Sequence, residues 1–164
     1  MKNIYLLLAV FFTISSMSAQ GVFDRLEDLD DVSAVVVTKD AFELLKKFPN
    51  AKSEDMEVFN VLKGLQELKI FSTEKTAIAS KMENMVNKSI SGGGLTELMR
   101  VKDKGTRAKI YVKSTKNKDI VSEVLMFVKN SNDGNEPSAT VISLLGDVDV
   151  NKLAEIANKY EKKQ

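Results

Sequence analysis

The chain has 164 residues, 43% hydrophobic and 29% charged, the proportions of one globular domain with a core of its own. Its 24 Lys and Arg balance 23 Asp and Glu, so it lacks the basic excess of a protein that grips nucleic-acid phosphates. Cysteine and histidine are both absent, which excludes disulfides, thiolate and imidazole metal sites, and Ser-His or Cys-His nucleophilic systems.

The first predicted element is an export signal. Lys2 supplies a positive start, Ile4 to Ile14 form an uncharged apolar run of 11 residues, and small and polar residues follow to Ala19. Crossing a bilayer takes roughly 20 apolar residues, so this run is too short to span and has the layout of a cleavable signal. Cleavage is predicted after Ala19, with a cut after Ser18 as the alternative, so that residues 20–164 form a single domain. Removing residues 1–19 takes one lysine and no acid, which brings the net charge to about zero. No cysteine remains to carry a lipid. The mature protein is therefore expected in the periplasm or outside the cell, without a lipid anchor or an integral membrane span.

Gly21 to Leu29 spaces Val22, Phe23, Leu26 and Leu29 as a short amphipathic helix, ended by a solvated acidic run of Glu27, Asp28, Asp30 and Asp31. Val32 to Thr38 is β-branched and almost wholly apolar, which predicts a strand buried on both faces. Asp40 is expected to cap a helix stopped by Pro49, and Ser53 to cap a second, short helix ended by Gly64. Leu65 to Ser72 alternates as a strand with one mixed face. Thr73 opens the longest predicted helix, whose apolar stripe is Ala77, Ile78, Met82, Met85 and Val86. The run Ser91-Gly92-Gly93-Gly94 follows that helix and leads into a strand. A phosphate-binding loop has the opposite order, with glycines leading into a helix, so the run reads as a helix stop.

Leu95 to Asp149 reads as four consecutive strands. Turn residues separate them at Lys104-Gly105, at Lys116-Asn117-Lys118 and at Asn132-Asp133-Gly134-Asn135. In one strand Ala108, Ile110 and Val112 alternate with Arg107, Lys109, Tyr111 and Lys113, which gives it a basic outer face. The next is two-sided, with Val124, Met126 and Val128 on one face and Leu125 and Phe127 on the other. A helix from Val150 to Tyr160 closes the chain. The predicted architecture is two-layer α+β. Its mainly antiparallel sheet ends in a C-terminal β-meander, with the helices near 75–90 and 150–161 packed on one face. Val112, Val124, Met126 and Ile142 are expected to be buried. Leu125 and Phe127 then fall on the outer face and need a cover, expected to be the opening helix with Phe23 and Leu26; a partner chain is the alternative. The candidate interaction surface is Leu125, Phe127, Glu123, Arg107, Lys109 and Tyr111.

The loop at Asn132–Glu136 resembles a cation-binding loop only superficially, because Lys129, Ser131 and Thr140 stand where an EF-hand needs acids. With 23 acidic residues, any one carboxylate pair carries little information. A sugar cleft would lack stacking platforms, since there is no Trp and there are only three Tyr. The residues therefore supply no catalytic set, metal ligand or cofactor. In order along the chain, Phe23–Leu26, VSAVVVTKDAF at 32–42, LKIFSTE at 68–74, ELMRVKDKGTRAKIYVK at 97–113, VSEVLMFV at 121–128 and ISLLGDVDVNKLAEI at 142–156 resemble the exported Bacteroidetes proteins gathered as domain of unknown function family 4252. The resemblance implies an address and a fold type and carries over no catalytic residue. Many members resemble lipoproteins, and this chain departs from them in lacking the cysteine.

The function read from these residues is a non-catalytic, exported, envelope-associated domain that binds a protein or an envelope component through its sheet. The alternative is a carrier holding a small apolar ligand between sheet and helices, lined by Met56, Met82, Met85, Met99 and Met126. A third reading is an enzyme working with carboxylates or Lys.

Overall fold

The computed structural model describes residues 21–47, 64–131 and 138–151. In chain order they form β1 (Ser33–Val37), α1 (Lys39–Lys46), β2 (Leu65–Thr73), α2 (Thr76–Gly93), β3 (Thr96–Asp103), β4 (Thr106–Ser114), β5 (Ile120–Asn130) and β6 (Ala139–Asp149). The six strands make one sheet in the order β1-β2-β6-β5-β4-β3, and every neighbouring pair is antiparallel. The α+β class and the C-terminal meander follow the sequence expectation. β6 closes the meander and also receives β2, so the early strands join the sheet through the last one.

Local chemistry explains the reversals. Lys104 and Gly105 both adopt positive φ (38° and 94°), the backbone a two-residue hairpin needs to match strand twist. Thr115 donates to the carbonyls of Asn117 and Ile120, and the Asn117 side chain accepts from the Asp119 N–H, which closes the β4–β5 loop. The Asn132–Asn135 turn falls outside the described residues. Gly94 ends α2 in the left-handed conformation at φ 68°, so the glycine run is a helix stop. Thr73 was expected to open the helix. It ends β2 instead, where its hydroxyl donates to the Asp31 carbonyl and accepts from the Lys75 N–H.

Two apolar clusters form, one on each face of the sheet. On the first, Phe23, Leu26, Ala79, Met82, Val86 and Leu95 pack against Phe71, Tyr111, Leu125, Phe127, Ala139 and Val141. On the second, Phe42 of α1 packs with Leu65, Val112, Val121, Val124 and Val148, joined by Val37, Leu68, Ile110, Leu144 and Val150. This corrects the expected phase. α2 covers the face of Leu125 and Phe127, whereas Val112 and Val124 are buried on the opposite face, and Met126 and Ile142 there are only half-buried. The predicted final helix begins at Val150, beside the second cluster; residues 152–161 lie outside the described residues, as does the short helix expected before Gly64.

The opening segment does cover Leu125 and Phe127, but as a 3-10 turn over Asp24–Leu26 and not as an α-helix. β1 was expected to be buried on both faces, and the topology makes it an edge strand with Ser33 to Val36 exposed. Asp40 lies inside the first turn of α1, whose backbone bonding begins with the Phe42 N–H donating to the Thr38 carbonyl. At the β2–β6 crossing, Gly146 has φ 123° and a Cβ there would collide with the Gly64 carbonyl oxygen. That close approach lets the Asp147 N–H donate to the same oxygen at 3.0 Å.

Candidate functional site

The registers align the residues of the second face into rows that cross all six strands. The middle row is Val35, Ile70, Ile142, Met126, Ile110 and Met99. On one side lie Val37, Leu68, Leu144, Val124, Val112 and Thr96; on the other lie Ser33, Ser72, Thr140, Val128, Ala108 and Val101. None of these side chains is charged. At about 4.8 Å between strands the rows run roughly 24 Å. The row of Val37 and Leu68 is largely closed by the second cluster, while the middle row stays half-buried and opens at both edges. Val35, Met99 and Val101 are 53%, 49% and 45% exposed. Within the face the Ser72 and Thr140 hydroxyls meet at 3.1 Å. Such a surface can bury apolar area and offers hydroxyls as its only polar contacts.

Charge is concentrated on the first face. Lys69, 7% exposed, reaches Asp24 at 2.7 Å and Glu67 at 3.2 Å, and this ties the opening turn to β2. Burial pulls the Lys69 ammonium down, but the hydrogen bonds and charges of Asp24 and Glu67 together outweigh it, so its pKa stands above the ordinary value. Lys129 meets Glu83 of α2 at 2.6 Å. On β3, Arg100 donates to Glu97 at 2.8 Å and holds that carboxyl below its usual range. Tyr111 is raised by burial and by the Glu97 charge. Glu123 is 5% exposed and raised by burial, opposed only by Lys113 across the strand pair.

The six residues expected to form an interaction surface do share one face, since Glu123, Leu125 and Phe127 stand opposite Lys113, Tyr111 and Lys109, with Arg107 opposite Lys129. Four of them are nonetheless enclosed: Leu125 at 0%, Phe127 at 4%, Tyr111 at 5% and Glu123 at 5% exposure. Lys109 is half-buried and Arg107 exposed. The physical reason is α2, which lies over this side and makes it the floor of the main core. Val36, 38% exposed, is on this first face, whereas Val35, Met99 and Val101, three of the exposed apolar residues of the sheet, are on the other side. The alternation of Ala108, Ile110 and Val112 with basic residues identified that side, but it was expected to lie under the helices. The methionines divide in the same way: Met82 and Met85 of α2 pack into the first cluster, whereas Met99 and Met126 lie on the uncharged face; Met56 is outside the described residues.

A separate polar cleft of about 320 Å³ opens where β1 begins, lined by Asp30, Asp31, Val32, Ser33, Ser72, Thr73, Glu74 and Lys75. Among the described residues no group of three or more potential metal-ligating side chains converges, and no helix is long and apolar enough to cross a membrane.

A family model described as "Domain of unknown function (DUF4252)" matches residues 26–156. No curated protein and no solved structure matches the chain.

Proposed function

This chain belongs to the DUF4252 family, and from that premise we propose an exported, non-catalytic domain of the Bacteroidetes cell envelope that binds a protein or envelope component through the uncharged face of its sheet. The observation that carries the reading is the set of three adjoining rows without a charged side chain, open at Val35, Met99 and Val101. Apolar surface of this extent, rimmed by hydroxyls, is the usual mark of an interaction site. Export is supported by the layout of residues 1–19, and the absence of cysteine argues for a protein held in the envelope by its contacts and not by a lipid. The non-catalytic reading rests on the residue set, since a face of aliphatic side chains and hydroxyls offers no general base.

The test uses mature protein and the cell-envelope fraction of its source. Cosedimentation is expected for the native chain, with a loss of about tenfold or more in affinity for a Met99→Glu, Val101→Glu double variant. Both positions are exposed, so its urea midpoint should stay close to that of the native protein. Equal binding by the variant, or native material that retains Met1 by mass spectrometry, would sink the proposal.

A further inference from the structure

The two edges of the sheet are built differently. β3 carries Glu97, Arg100, Lys102 and Asp103 and breaks register between Glu97 and Met99, devices that discourage another strand from adding on. β1 is Ser33-Ala34-Val35-Val36-Val37, with no charge, no proline and an uninterrupted register against β2. Ser33 to Val36 are exposed, and among the described residues the side of β1 away from β2 has no strand neighbour. An unguarded β-branched edge is a template for an added strand.

We propose that this edge is a homodimer interface, where β1 of a second copy pairs antiparallel with β1 about a two-fold axis at Val35. The sequence is self-complementary in that alignment. Ala34 comes opposite Val36 and Ser33 opposite Val37, so no like charges meet within the strand. Two residues beyond the strand at each end, Asp31 of one copy comes alongside Lys39 of the other. Asp31 lies in the cleft at the start of β1, where Asp30, Asp31 and Glu74 outnumber Lys75, so the lysine of the second copy arrives at an acidic site. Lys75 sits 3.9 Å from Asp31 with both side chains largely exposed, a weak pair that leaves the carboxylate able to take a second cation. Lys39 is the first residue of α1, so the strand pairing ends at Val37 and this contact is made by flanking residues. The resulting sheet would have twelve strands and two guarded β3 edges. Val35 belongs both to this edge and to the uncharged face, but the pairing uses the β1 backbone and does not depend on the use proposed for that face.

A five-residue edge is a small interface, so sedimentation equilibrium of the mature chain is expected to show a dimer with a Kd in roughly the micromolar range. Val35→Lys places two ammonium groups on the axis and should weaken the dimer by about tenfold or more, with an unchanged circular dichroism spectrum. Asp31→Lys and Lys39→Asp should each weaken it by about three- to tenfold, and the double variant should recover to within about twofold of native affinity. Within one copy Asp31 and Lys39 flank opposite ends of β1, whose five extended residues alone span roughly 13 Å, so recovery reports a contact between copies. A native chain that remains monomeric at about 1 mM overturns the proposal. So does a double variant as weak as the sum of its singles, or a dimer indifferent to Val35→Lys.

Discussion

Glu123 projects onto the α2 side of the sheet with 5% of its surface exposed, and Lys113, across the strand pair, is the cation that offsets its burial. Burial raises its pKa, so the folded chain holds this proton more tightly than the unfolded chain. Between the ordinary carboxylate value and the raised one, the native state therefore binds more protons, and stability falls as pH climbs through that interval. Glu123→Gln removes the buried charge while keeping the shape. It should gain about 1 kcal/mol at pH 7 in urea titrations, and the gain should shrink as the pH falls through that interval to below the ordinary carboxylate range. A loss of stability at pH 7 would show that Lys113 outweighs the cost of burial. Lys69 works in the opposite sense. Its folded pKa is raised, so what it contributes is fully present at neutral pH and is lost only as strongly alkaline solution takes the pH through the folded value. Acid and neutral solutions should thus distinguish the two buried charges, although they lie on the same side of the sheet.

At the scale of elements, the opening turn has a structural weight out of proportion to its three residues. Leu26 is 1% exposed and belongs to the cluster that includes Leu125, Phe127 and Phe71, so Leu26→Ala should cost about 2–4 kcal/mol. Leu44 of α1 is 56% exposed, and Leu44→Ala should change the same urea midpoint by less than about 0.5 kcal/mol. Comparable losses from the two would contradict the burial described for Leu26. The identity of this turn's buried residues was readable from the spacing of Phe23 and Leu26, though its 3-10 geometry was not. The meander was legible for a stronger reason, since period-two alternation and turn residues such as Lys104-Gly105 are local signals. The phase of the sheet was not legible. β5 is apolar on both sides, so alternation cannot say which side meets a helix, and Arg107, Lys109 and Lys113 pointed the wrong way. Long basic side chains can run their stems along apolar surface and keep their charges wet at its margin, which allows α2 to lie on the side that carries them. β1 failed for a different reason. Its composition is that of a central strand, and position in a sheet is a property of topology that no five-residue window contains. The candidate surface inherited that error of phase: Leu125 and Phe127 were correctly seen to need a cover, and the chain supplies it.

For the whole molecule, the governing fact is that β6 is the last of the described strands in the chain but stands between β2 and β5 in the sheet. A chain ending at Ser138 loses the strand that joins β1 and β2 to β3, β4 and β5. It should show no cooperative urea transition; a sharp two-state transition would mean that the meander folds without β6. The pairing of β2 with β6 joins residues from Thr73 and Ala139 out to Leu65 and Gly146, roughly half the domain apart in sequence, and such distant contacts make for slow folding. There is also a consequence in time. β2 ends at Thr73 and β6 begins at Ala139, so with synthesis at roughly 5–20 residues per second, β2 has β1 beside it but waits several seconds before its second partner exists. Throughout that wait the sheet cannot close, and the nascent chain stays threadable. For a protein proposed to leave the cytoplasm, the order of its strands then holds the chain open long enough for a secretion channel to receive it.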